Sequence, residues 1–290
     1  MKFSIWAFNL RIGHTDLVKP SLLAVFAHPD DEAFSSGGTL AHYAKLGVNV
    51  TLISSTRGEA GKVTDPVLGE VKDVGALRET ELQNACKELG INPPIFLGYH
   101  DSGRLERLRK DDPLASINAD PLEIEQKIRE VILQVKPQVM LTFDPHGGYG
   151  HPDHMVIHSA TLAAFFSSGD FEAAPQRLFY TAMPTEIARM MFASNASPTP
   201  GLDPELYGVS RSTIAFGHDI SKYLEQKMAA LKAHASQVGP TSRMGQMAED
   251  QRLNMQQRMG FENFSLGGIR GAISNYPLKG FFDGLGLEVI

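Results

Sequence analysis

The 290 residues hold one cysteine and one tryptophan. A lone thiol cannot close an internal disulfide, so a cross-linked secreted scaffold is excluded. The setting of Cys86 in ETELQNACKELG reads as a buried, unreactive helix position. Also missing is any apolar run near the ~20 residues that a bilayer crossing needs, so no membrane partner is expected. The opening MKFSIWAFNLRIGH is interrupted by Asn9 and Arg11, and no small-residue cleavage site follows cleanly, which argues against a signal peptide. Dense positive charge is lacking as well. The net charge is -6, and the basic residues cluster no more tightly than Arg104, Arg107, Arg109 and Lys110. Nucleic acid is therefore not an expected partner. These absences together make the cytoplasm the expected location.

What is present suits a globular α/β chain. Hydrophobic residues make up 42% and charged residues 21%, enough for a full core. Short apolar runs at 22–27, 48–54, 94–98, 137–143, 177–183 and 211–216 alternate with helix-like segments at 35–46, 75–89, 121–135, 153–167, 185–194 and 219–235. Runs apolar at nearly every position belong to strands covered on both faces. The alternation predicts a Rossmann-like three-layer α/β/α fold with a mostly parallel sheet and a ligand site beyond the strands' carboxyl ends. One domain over 1–290 is expected, with 239–290 as a C-terminal extension packing on it. An amphipathic helix in that tail would turn Met247, Leu253 or Met255 inward. Loops 57–74 and 99–120 should overhang the ligand edge.

Two motifs carry chemistry. AHPDDEAF, 27–34, follows the first apolar run, and FDPHGGYGHPDH, 143–154, follows the fourth. In each, a proline stiffens the turn that presents the polar groups. The acids of the first motif could merely favour the positive end of the next helix. Two HPD motifs at two strand ends argue instead for a metal centre. Imidazole and carboxylate are zinc ligands, and a catalytic zinc takes three of them with one position open. His28, Asp31 and His154 form such a set. His154 and His158, four apart on one helix, form a rival pair, and Asp144, His146 and Asp153 are further rivals. Asp144 and Asp153 suit groups that orient ligating imidazoles. Ferrous iron fits the same donors as Zn²⁺. The glycines around Tyr149 and His151 would bring both near a substrate, where a hydroxyl and a protonated imidazole stabilise negative charge. His14, His42, His100, His218 and His234 show no converging partner. GEAGK lacks the phosphate-loop spacing, and HPDDEAFSSGG is not a dinucleotide fingerprint.

AHPDDE with GGYGHPDH resembles the LmbE/PIG-L family of metal-dependent N-acetylglucosaminyl deacetylases. GEAGKV (58–63), RETEL (78–82), DSG (101–103) and HASQV (234–238) are similar to its mycothiol-pathway and bacillithiol-pathway members. The resemblance implies a hydrolase acting on the amide of a small N-acetylglucosamine conjugate. It implies His28, Asp31 and His154 as zinc ligands, Asp30 as general base and His151 as oxyanion stabiliser. Arg78 and Asp101 would contact the sugar, joined by Ser35. The chain departs from the mycothiol-type pattern at Lys62 and Arg104, where the relatives' loops read G-E-E-G-E-V and D-S-G-M. Two added positive charges point to an anionic aglycone, GlcNAc-malate rather than GlcNAc-inositol. An amidase cleaving a thiol conjugate of the same sugar remains open, because loop residues decide between the two. So does a non-catalytic metal-containing carbohydrate-binding protein, although its signature would be a lost base or ligand and none is lost here. The oligomeric state, a homo-oligomer included, is not encoded in these motifs.

Overall fold

The computed structural model describes residues 19–193, 203–242, 244–249, 259–273 and 275–287. In chain order the elements are β1 (Ser21–Phe26), α1 (Asp31–Lys45), β2 (Asn49–Thr56), α2 (Val74–Leu89), β3 (Ile95–Tyr99), α3 (Pro121–Val135) and β4 (Val139–Thr142). The glycine-rich turn α4 (Gly147–Gly150), α5 (Pro152–Ser167), β5 (Arg177–Ala182), α6 (Thr185–Ala193) and α7 (Pro204–Tyr207) follow. The last are β6 (Ile214–Asp219), α8 (Leu224–Ala233), α9 (Ala235–Val238) and β7 (Phe261–Ile269).

The strands form one seven-stranded sheet in the order β3-β2-β1-β4-β5-β7-β6. β1 to β5 pair in parallel, and β7 runs antiparallel to both β5 and β6. The apolar run of β1 is buried at every residue, as a strand covered on both faces requires. Helix starts are written in the sequence. Asp73 accepts from the Ala76 amide, and Asp120 accepts from Leu122 ahead of Pro121. α1 and α2 pack together on one face as the chain moves from β1 out to β3, and α3 and α5 pack together on the other as it returns through β4 to β5, the arrangement that the right-handed crossover rule leads to.

The expected α/β architecture is what forms, with one correction. The tail from 239 does not only pack on the domain: it supplies β7, inside the sheet between β5 and β6. FENFSLGGI hides this role because Gly267 and Gly268 read as a breaker. Here they allow close approach, since a Cβ on Gly267 would lie 2.3 Å from the Tyr180 ring and one on Gly268 2.6 Å from the Phe165 ring. Of the helix proposed for the tail, Met247 lies in a bend, half-buried; Leu253 and Met255 fall outside the described residues.

Strand order reverses between β1 and β4, which leaves a crevice at the carboxyl edge where the chain departs in opposite directions. Both HPD motifs open into it.

Candidate metal and active site

His28 follows β1, and its backbone amide donates to Asp31 Oδ2 at 2.7 Å, folding the HPDD turn so that ring and carboxylate face one another. His154 comes from the first turn of α5. Its Nδ1 faces the Gly147 carbonyl at 3.0 Å, and its ring stacks on Phe143 with centroids 4.0 Å apart and 6° between planes. Nε2 is thereby aimed away from α5, to 3.1 Å from His28 Nδ1 and 3.3 Å from Asp31 Oδ1. His28 Nδ1 is 3.5 Å from Asp31 Oδ2. All three residues are buried. The close approach depends on Gly147: its φ is +60°, and a Cβ there would come within 2.5 Å of the His154 Cβ.

His28 Nε2 meets more carboxylate, Asp153 at 3.1 Å and Asp101 at 3.5 Å. Burial disfavours a charge on His28, but Asp101, Asp153 and Asp31 outweigh it and hold its pKa well above the ordinary value. Burial draws His154 down to about 4 against the pull of Asp31. Asp31 lies below the usual carboxylate range because His154 and His28 overcome its burial. Asp153 Oδ1 is buried with no hydrogen-bond partner among the described residues. Converging ring nitrogens amid surplus buried carboxylate are a donor set that a cation would satisfy. His28, His151 and His154 are close enough to share one ion, as are His28, Asp101 and Asp153.

Asp30 is half-buried, with φ 120° and ψ -26°. A non-glycine residue in that region carries strain on the order of 1–3 kcal/mol. Its side chain makes no capping bond to α1, so the carboxylate is not spent on the helix end. Burial, then the Asp31 charge, push its carboxyl up to about 8.

His151 caps α5, its Nδ1 accepting from the Asp153 amide at 3.2 Å, and its ring centroid lies 4.5 Å from that of His28. Burial, then the His28 and His154 rings, depress its pKa strongly. The expectation of a protonated His151 is thus corrected. The ring is neutral and, with Nδ1 accepting, carries its hydrogen on Nε2. Tyr149 stands beside His154, ring centroids 5.0 Å apart. Burial and then Asp31 raise its pKa, so the phenol keeps its proton.

Arg78 is buried and not a surface helix charge; it donates to the carbonyls of Gly58 at 2.6 Å and Lys62 at 3.2 Å. Asp101, also buried, accepts from the amides of Gly103 and Ala60. Both residues thus shape the loops that follow β2 and β3, at the rim of the site. Arg104 lies over the Tyr149 ring at 5.4 Å. Lys62 is exposed and Ser35 half-buried on α1.

The rivals separate cleanly. His158 faces the Phe143 carbonyl at 2.8 Å and lies against the Tyr180 ring. Asp144 accepts from the amides of His146 and Gly148, bracing the glycine turn and not a ligating ring. Asp153 does reach an imidazole, that of His28. His100 pairs with Asp112 at 2.9 Å. His234 corrects the sequence reading: it has a converging partner, Glu32, at 2.7 Å, both fully buried. No local spacing announces a pair formed across the chain.

A mostly parallel α/β sheet whose switch point gathers imidazoles and carboxylates close enough to share a metal ion fits a metal-dependent enzyme, and the relatives of the chain make it one of the deacetylase class. More particularly, the chain belongs to the PIG-L family: residues 23–165 match it under the description GlcNAc-PI de-N-acetylase. It is 39% identical over 236 residues to a 1D-myo-inositol 2-acetamido-2-deoxy-alpha-D-glucopyranoside deacetylase of Actinosynnema mirum, spanning 76% of this chain and 81% of that one. A protein of the same name from Thermomonospora curvata is 36% identical, over 92% of this chain and 98% of its own. Among solved structures, a zinc-inhibited form of teicoplanin deacetylase shares the fold with TM-score 0.56 and 18% identity, over 85% and 97% of the two chains. Among the described residues no helix is long and apolar enough to cross a membrane.

Proposed function

We propose that this protein is a zinc-dependent N-deacetylase that hydrolyses the acetamide of an N-acetylglucosamine conjugate, with the ion held by His28, Asp31 and His154. The observation that carries the reading is the convergence of two buried ring nitrogens and Asp31 within 3.1–3.5 Å of one another. Zinc held there supplies a Lewis acid for the amide carbonyl and lowers the pKa of water toward neutrality.

The remaining roles fall to side chains. Asp30, its carboxyl pushed up by burial and by Asp31, would be favoured as the carboxylate by a cation held beside it. It takes a proton from the attacking water and returns it to the sugar nitrogen as the C–N bond breaks, so that acetate and a free amine leave. His151 donates from Nε2, and the Tyr149 hydroxyl donates beside it, to the carbonyl oxygen as negative charge grows there. Neither donor needs a protonated imidazole. Arg78 and Asp101 hold the two loops that enclose the sugar, and with Ser35 they offer it polar contacts.

The named relatives act on an inositol glycoside. Arg104 over the Tyr149 ring supplies positive charge there, and the exposed Lys62 adds another in the loop after β2 that Arg78 holds. They favour an anionic aglycone of the malate kind. Acetate release from GlcNAc-malate and GlcNAc-inositol by the zinc-loaded protein tests this. The expected result is a higher kcat/KM for the malate conjugate, lost in Arg104→Met. A preference for the inositol conjugate would sink the anionic-aglycone reading and leave the deacetylase intact. Metal uptake with acetate from neither substrate would contradict the deacetylase itself.

A further inference from the structure

We propose that His234 and Gln237, on either side of Ser236 at the start of α9, are positioning residues that lock the Pro29–Asp30 peptide and so hold Asp30 in its strained conformation. The inference rests on the reading of Asp30 as the base and adds what keeps it in place.

The lock grips both ends of one peptide unit. Gln237 Nε2 donates to the Pro29 carbonyl at 2.6 Å. On the other side the Asp30 amide donates to Glu32 Oε2 at 3.1 Å. Glu32 Oε1 is in turn held by His234 Nε2 at 2.7 Å. Rotation of this peptide plane is the motion that would return Asp30 from φ 120° to the negative region that non-glycine residues prefer. Both hydrogen bonds oppose it.

The elbow that carries the lock is itself fixed. The Ser236 amide and hydroxyl each donate to a Glu81 carboxylate oxygen at 2.7 Å. The Ser236 carbonyl accepts from the Thr64 amide at 2.6 Å and hydroxyl at 3.0 Å. HASQV thus braces three parts of the site at once: the HPDDE turn, helix α2 with Arg78, and the loop after β2. Strain of this kind persists only where surrounding contacts over-determine it. A turn that served only a helix end would need no contacts to Pro29 and Glu32 from about two hundred residues further along the chain.

The test uses the zinc-loaded full chain with Gln237→Leu, His234→Leu and His234→Gln, the last keeping an N–H near the position of Nε2. Gln237 is half-buried, so its variant folds even if His234→Leu does not. Gln237→Leu is expected to lower kcat about ten- to a hundredfold, with KM within about twofold and zinc content unchanged; His234→Gln recovers most of what His234→Leu loses. A readout independent of turnover is Tm in a double-mutant cycle. Asp30→Gly relieves the strain and should raise Tm more in the wild-type background than beside Gln237→Leu, where the peptide is already free. Loss of the Asp30 charge is common to both backgrounds and cancels. Wild-type kcat in Gln237→Leu, with equal Tm gains in the two backgrounds, would overturn the lock. Asp30→Ala with undiminished kcat would overturn the base reading beneath it, whatever the Tm cycle shows.

Discussion

Gly147 shows how much of this site depends on a missing methyl group. Its carbonyl orients His154, and its hydrogen side lies where a Cβ would strike His154. Gly147→Ala therefore meets both left-handed backbone strain and a clash. The expected cost is about 1–3 kcal/mol of stability, with zinc affinity falling about 10- to 100-fold because the ligand ring loses its orienting partner. Urea unfolding and a competitive zinc titration check the two numbers. At this scale the sequence was informative where the chemistry is local. HPDDE follows β1 directly and HPDH follows β4 across the glycine turn; spacing brings His28, Asp31 and His154 forward as one donor set among rivals, and the family resemblance singles it out. What spacing could not convey was charge state. The neutral form of His151 follows from its burial among two other imidazoles, which exists only once β1 and β4 lie side by side.

Among the elements, the α8–α9 elbow carries the interactions furthest from any motif reading. His234 and Glu32 form a buried pair from helices that meet only in the folded sheet, so His234 looked partnerless in the chain. Burial disfavours its charge, but Glu32, aided by Asp30 and Glu81, raises its pKa above the ordinary 6.5. A histidine raised on folding stabilises fully below its unfolded pKa, and that contribution fades as pH climbs through the folded value. Thermal stability should therefore decline from pH 6.5 upward, and His234→Gln should flatten the decline. An unchanged slope in the variant would assign the pH dependence to other groups. β7 was hidden for a different reason. Its paired glycines resemble a loop, and the rings of Tyr180 and Phe165 that require them arrive from other elements.

For the whole molecule, the sheet order does the assembling. Reversal between β1 and β4 sets the two HPD turns side by side, and the loops after β2 and β3 are tied together above them. Arg109 and Arg107 donate to the carbonyls of Glu59 and Ala60, and Asp101 accepts from Ala60. Strand and helix alternation made this layout legible before any contact was known, since buried parallel strands keep the same apolar signature wherever they occur. The loops' own geometry was not legible, because polar side chains bonding to backbone leave no periodic pattern.

One buried zinc held by His28, Asp31 and His154 would make this fold an N-deacetylase. A zinc titration of the chelated protein, with bound metal and acetate release from a GlcNAc conjugate followed together, beside His154→Ala, tests that assignment. Activity is expected to rise in step with the first equivalent bound and to saturate there, while His154→Ala binds weakly and stays inactive. Full activity in the chelated protein, or undiminished activity in His154→Ala, would contradict it.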